Sequence, residues 1–364
     1  MARAMRLGVG AAIVEGALVR GDVEIADGRI AAVGLEGRGD RIAVPGFVDL
    51  QVNGFAGVDF AAADADAYRR AGEAILETGV TAYQPTLTTA PEADVIAALR
   101  EVPRESSGSR ILGVHLEGPF LSPERLGAHP AGARRDPDRA LAERLLAAGP
   151  VTYVTLAPEL DGALELVGLL HARGIVVSCG HSNATVEEAT AAFDCGVGTV
   201  THLFNAMRPF AHRDPGIAGA ALARDGVIVQ VIADGVHLAA DTLRLVWNAA
   251  RGRVALVTDA IAAAGAGDGT YRVGATEVVV RDGVARRADG VLAGSVVPMI
   301  GAVQNLCALG IPLVEAVASA TAVPARVLRN ASHGVLREGG TADVVVLDER
   351  LEIRSVLLAG KVRA

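Results

Sequence analysis

From Phe47 to Ala260 the chain alternates short apolar segments with amphipathic ones eight times, and few folds accommodate such a repeat. The apolar segments are FVDLQVN (47–53), TAYQPTL (81–87), ILGVHLE (111–117), VTYVTLAPE (151–159), IVVSCGH (175–181), TVTHLFN (199–205), VIVQVIAD (227–234) and VALVTDA (254–260). Helical periodicity fills the gaps, as in Asp66 to Thr78, Leu141 to Ala148, Leu164 to Arg173 and Thr185 to Cys195. Eight strand–helix units at this spacing predict an α/β fold, a parallel barrel in preference to an open, doubly wound sheet. The pattern breaks after the eighth strand, where TYRVG and TEVVVRDG predict a β insertion near 264–290. Helices from about Pro298 to Leu309 and from Pro312 to Leu328 then complete the barrel.

The two ends read differently. GALVRGDVEIADGRIAAVG (16–34) and TADVVVLDERLEIRSVLLAGKVRA (341–364) both alternate over short runs broken by turn residues, the pattern of small antiparallel strands. They are expected to pair into one small β domain, contributed by 1–44 and 335–364, with the barrel spanning 45–334. Leu7 to Val14 reads as a first strand because it is short and lacks a small-residue cleavage pattern.

Composition narrows the function. Hydrophobic residues make up 51% and charged residues 21%, enough for a large core. A net charge of −8 with 3% aromatics gives neither a field nor stacking surfaces for nucleic acid, and none for an anionic membrane. No apolar run approaches the roughly 18 residues of a membrane span. Cys179, Cys195 and Cys307 form no CxxC pair, which predicts a reducing, cytoplasmic setting. The only lysine is Lys361, near the end, which argues against a phosphate-binding P-loop, a Schiff base or a lysine carbamate between two metals. The early GVGAA does not follow a strand and so makes a poor dinucleotide loop.

Barrel chemistry sits where strands run out at their C-terminal ends. Titratable residues collect there: Glu117 ends the third strand, His181 the fifth and Asp259 the eighth, His202 falls within the sixth, and Asp234 and His237 follow the seventh. Taken singly, a histidine in an apolar strand is usually a satisfied core residue, and a strand-end aspartate a cap or turn former. Agreement among separate strands favours a metal site. Two imidazoles and a carboxylate suit catalytic zinc, and equally iron or another first-row divalent ion. Asp259 is then placed as general base toward water activated at the ion. His115, two residues before Glu117, is either a partner behind the ligands or a structural residue.

These residues lie in longer motifs. HLEGPFL (115–121), LAPE (156–159), GHSNAT (180–185), THLFNAM (201–207), RDPG (213–216), ADGVH (233–237), VTDA (257–260) and LAGS (292–295) together resemble the N-acetylglucosamine-6-phosphate deacetylase family of the amidohydrolase superfamily. The resemblance runs in order over nearly the whole chain. It implies a TIM-like (β/α)8 barrel with a β-sandwich built from both chain ends, and removal of acetate from N-acetylglucosamine 6-phosphate. It implies one divalent ion, zinc first, on Glu117, His181 and His202, with Asp259 as acid and base and His129 polarising the acetamide carbonyl. It further implies a sugar site lined by Ala128, His129, Asn205, Ala206, the Asp234, Gly235, Val236 and His237 turn, and Leu292, Ala293 and Gly294. Arg213 and His237 would hold the phosphate, Arg213 across the interface of a homodimer. The rival enzyme reading is a deacetylase of N-acetylgalactosamine 6-phosphate or of another N-acyl compound. A non-catalytic scaffold of the same fold is the rival from another class, and it would have lost ligands or base that this chain retains.

The first strand carries one more expectation. Gln51 and Asn53 point the same way at its end, and a neutral amide is a poor ligand for a transition metal. They are expected to hydrogen-bond to water or neighbouring side chains, leaving a single ion.

Overall fold

The structure, a computed structural model, describes residues 4–37 and 39–364. The first three residues and Arg38, which fall in the expected N-terminal domain, lie outside the described residues.

Eight parallel strands form the barrel: β1 (Phe47–Val52), β2 (Val80–Thr88), β3 (Val114–Glu117), β4 (Val151–Leu156), β5 (Val176–Cys179), β6 (Thr199–Val200), β7 (Ile228–Val231) and β8 (Val254–Leu256). Each pairs in parallel with the next from β1 to β8. A single bridge, Val52 to Ala260, closes β1 against the segment after β8. The strands are buried on both faces, which is why they read as continuous apolar runs.

Helices α1 (Ala65–Glu77), α2 (Glu92–Glu101), α3 (Arg139–Ala148), α4 (Ala163–Ala172), α5 (Val186–Asp194), α6 (Gly216–Leu222) and α7 (Ala240–Ala249) connect successive strands. Their starts follow local chemistry. Asp64 caps α1 by accepting from Ala67 N at 2.8 Å, and Thr185 and Glu188 form a reciprocal capping box on α5. Beyond the barrel, α8 (Met299–Ala308) is followed by two helices where one was expected, α9 (Leu313–Ala320) and α10 (Ala322–Val327). Pro324 accounts for the break, since its ring would meet the carbonyl of Ala320 in a continuous helix.

Strands from both ends share one six-stranded sheet, in the order Lys361–Val362, Ile353–Leu358, Val344–Leu347, Ile42–Pro45, Ala11–Val14, Ala17–Arg20. The run VVVL at 344–347 is apolar throughout because both faces of its sheet are covered. Val344 and Val346 pack with Val23, Ile25 and Ile30 of a second, three-stranded sheet, and Val345 and Leu347 join the barrel core. Gly269–Val273, Thr276–Arg281 and Val284–Arg286 form a small antiparallel sheet after β8.

Candidate active site

The segments leaving the C-terminal ends of the strands bring the titratable residues together. Glu117, 3% exposed, is the hub. Its Oε1 lies 2.9 Å from His202 Nε2 and 3.3 Å from His181 Nε2, its Oε2 lies 3.3 Å from His129 Nε2, and the Nε2 atoms of His181 and His202 are 3.1 Å apart. Donors about 2.0–2.1 Å from a tetrahedral zinc would be separated by roughly 3.3–3.4 Å, so these spacings fit a shared ion. Glu117, His129 and His181 likewise have ligand atoms within 4.8 Å of one another, so four groups compete for three ligand roles.

Hydrogen bonds at the far ring nitrogens separate them. His181 Nδ1 lies 2.9 Å from the carbonyl of Arg125, which can only accept, so Nδ1 carries the proton and Nε2 presents a lone pair. His129 is the reverse: its Nδ1 accepts from the N–H of Thr89 at 3.3 Å, so the neutral ring carries its proton on Nε2. His181 therefore offers a lone pair toward Glu117, and the neutral His129 ring an N–H. Among the described residues His202 Nδ1 has no partner, and its Nε2 faces Glu117 and His181.

Charge follows the same geometry. Burial and the nearby His129 push His181 down to about 4, keeping it neutral as a ligand must be. Burial opposes the charge on Glu117, but the three imidazoles around it, His129, His181 and His202, outweigh it and hold the carboxyl well below its ordinary range. Asp259 goes the other way, up to about 6, through burial and the charge of Glu117.

Backbone strain marks the same residues. His181, His202, Ala206 and Asp259 have φ of 47°, 29°, 49° and 49°, left-handed values that residues other than glycine hold only under local constraint. This corrects the expectations for His202, His181 and Asp259: β6 ends at Val200, β5 at Cys179 and β8 at Leu256, and the three residues sit in the segments beyond. Gly294 closes in from the opposite side, where a Cβ would lie 2.7 Å from the carbonyl oxygen of Asp259.

Gln51 Nε2 donates to Glu117 Oε1 at 3.0 Å and Asn53 Nδ2 to Asp259 Oδ1 at 2.7 Å. The amide oxygens of both are buried and have no partner among the described residues. His115 faces the barrel interior, between the hydroxyls of Thr86 (3.2 Å) and Thr155 (2.8 Å), with burial pushing it down to about 4.

The cluster lies in a cavity of about 340 Å³. Ala128, His129, Asn205, Ala206, His237, Leu292, Ala293 and Gly294 line it, together with Asn53, Glu117, His181, His202 and Asp259. Asp234, Gly235 and Val236 do not. The Asp234 carboxylate instead turns to His237, accepting at Oδ2 from Nδ1 at 2.7 Å and at Oδ1 from the N–H groups of Val236 and His237. Arg213 is exposed and lies outside the lining. Sequence reasoning missed Glu124, Arg125, Thr88 and Thr276 in the wall. Glu124 and Arg125 are separated from the Gly127–His129 stretch by Leu126 alone, a signal that was available. Thr276 comes from the inserted sheet, where its hydroxyl donates to the carbonyl of Ala128 at 3.1 Å, a contact no local pattern announces.

The amidohydrolase family model matches residues 42–363. The chain belongs to the amidohydrolase family. Among curated relatives of this amidohydrolase, human N-acetylglucosamine-6-phosphate deacetylase is 41% identical over 343 residues, covering 89% of this chain and 83% of the human protein. N-acetylgalactosamine-6-phosphate deacetylase of Escherichia coli O157:H7 is 36% identical over 360 residues, covering 95% and 96%. Among solved structures, an aspartate-to-alanine variant of N-acetyl-D-glucosamine-6-phosphate deacetylase from Mycobacterium smegmatis, in complex with N-acetyl-D-glucosamine-6-phosphate, superposes with a TM-score of 0.95. It is 38% identical, with 99% of each chain covered.

Proposed function

We propose that this chain hydrolyses the acetamide of N-acetylglucosamine 6-phosphate, releasing acetate and glucosamine 6-phosphate. The observation that carries this reading is the convergence of Glu117, His129, His181, His202 and Asp259 in one cavity of a chain about 40% identical to such deacetylases. Glu117, His181 and His202 would hold one divalent ion, with zinc favoured by the two-imidazole, one-carboxylate donor set. When bound, such an ion supplies a Lewis acid for the carbonyl oxygen and acidifies water.

The side chains perform the remaining steps. Asp259 takes a proton from the attacking water as its oxygen bonds to the acetamide carbon, and the N–H at His129 Nε2 stabilises the charge growing on the carbonyl oxygen. Asp259 then returns the proton to the amine as the carbon–nitrogen bond breaks. His237, oriented by Asp234, lines the cavity, and as an imidazolium it would donate from Nδ1 to Asp234 and from Nε2 to the phosphate. Arg213 would complete phosphate binding from a neighbouring subunit, a role consistent with its exposure on its own chain.

Acetate release from N-acetylglucosamine 6-phosphate, with and without chelator, tests the reading. The 4-epimer and the unphosphorylated sugar run alongside. Equal rates on phosphorylated and unphosphorylated sugar would overturn the phosphate assignment, and a faster 4-epimer would transfer the activity to N-acetylgalactosamine 6-phosphate.

A further inference from the structure

Strand β1 and the residue that follows it carry polar side chains at three alternate positions, and each reaches a different partner. Gln51 contacts Glu117 and Asn53 contacts Asp259. Asp49, 1% exposed, touches neither of those groups. Its Oδ1 accepts from Thr258 N–H at 3.2 Å and from Gln51 N–H at 3.3 Å, and its Oδ2 accepts from the Thr258 hydroxyl at 2.5 Å.

The place of this contact in the barrel explains its importance. Strands β1 and β8 are not paired as a ladder: the isolated Val52–Ala260 bridge joins the two segments, with the N–H groups of Asn53 and Gly54 both donating to the Ala260 carbonyl. Thr258 N–H therefore takes a side-chain acceptor, the buried Asp49 carboxylate. Thr258 immediately precedes Asp259, whose φ of 49° must be over-determined by its surroundings to persist. Several bonds converge on this dipeptide. Ser295 Oγ donates to the Thr258 carbonyl at 2.6 Å, Ser295 N–H to the Asp259 carbonyl at 2.9 Å, and Ala260 N–H to Thr258 Oγ1 at 3.2 Å. Asp49 holds Thr258 to strand β1 at both its N–H and its hydroxyl, beside the weaker approach of that hydroxyl to the Gln51 carbonyl at 3.4 Å and the Asn53 bond to the Asp259 side chain.

We propose that Asp49 is a positioning residue for deacetylation: through Thr258 it fixes the backbone that carries Asp259, and with it the direction of the Asp259 carboxylate toward Glu117 and its histidines. Asp49 contacts no reacting atom. The role assigned to it rests on Asp259 serving as the base.

Asp49→Asn keeps the shape but turns one acceptor into a donor facing the donors of Thr258. It should lower kcat about tenfold or more while KM for N-acetylglucosamine 6-phosphate and bound metal stay within about twofold. Thr258→Val should show the same split, and Thr258→Ser, which keeps the hydroxyl, should recover most of the lost kcat. The double variant Asp49→Asn/Thr258→Val should fall little below the worse single variant, because both break one contact. A folded, metal-loaded Asp49→Asn enzyme with kcat within about twofold of the parent would overturn the assignment. If Asp49→Asn does not fold, equal kcat in Thr258→Val and Thr258→Ser would overturn it instead. The role of Asp259 is tested apart: an active Asp259→Asn enzyme removes the base, whereas an inactive one beside an unaffected Asp49→Asn removes only the role of Asp49.

Discussion

At the scale of single residues, the site depends on which atom of each ring or carboxyl is free. Two histidines in contact with one glutamate are set to opposite tasks by a carbonyl behind His181 and an N–H behind His129. Asp259→Asn should bind metal as the parent does yet lose turnover by several orders of magnitude, measured by single-turnover acetate release and metal analysis. Asp259 must be ionised to accept a proton, so kcat/KM should fall as pH drops through its pKa. Burial and Glu117 place that midpoint at about 6 without metal, and a cation beside the carboxylate draws it lower. A pH–rate profile with an acid limb above about 6 would contradict this sign. Residue types and strand-end positions were enough to nominate Glu117, His181, His202 and Asp259. The left-handed backbone at His181, His202 and Asp259 was not legible, because no glycine announces it and only the folded surroundings impose it.

Elements show where periodicity suffices and where it misleads. All eight barrel strands were evident as apolar runs, and α5 follows directly from its cap. Thr185→Ala removes half of the α5 capping box and should cost about 1 kcal/mol in urea unfolding, with kcat/KM unchanged. The sixth strand was overread. THLFN alternates like a strand, yet the chain leaves the sheet at Val200 and Leu203 N–H bonds to Gln230 O at 2.7 Å, a contact with the next strand that sequence spacing does not encode. The even run of hydrophobic residues through Pro312 to Leu328 hid a break that Pro324 should have signalled.

For the whole molecule, the proposed ligand cluster would link metal to stability. Removing the ion should leave Glu117, His181 and His202 without their common partner, so chelated protein should melt at a lower temperature and regain its Tm on adding zinc. An unchanged Tm with full loss of activity would place the ion elsewhere. Arg213→Ala should raise KM for the phosphorylated sugar and spare kcat. Mixing it with an Asp259→Asn partner would report whether Arg213 acts across subunits, since only mixed dimers could join an intact base to an intact arginine. No helix among the described residues is long and apolar enough to cross a membrane. The sheet shared by the two ends carries a consequence for synthesis. Ile42–Pro45 pairs with Val344–Leu347, so its edge waits through about 300 residues of translation, roughly 15–60 s at ordinary ribosome speeds, before its partner exists. Through that interval Val44, buried in the finished protein, lacks its strand partner Val345. A nascent chain stalled before Val344 would therefore be a preferred client for chaperones that bind extended apolar segments.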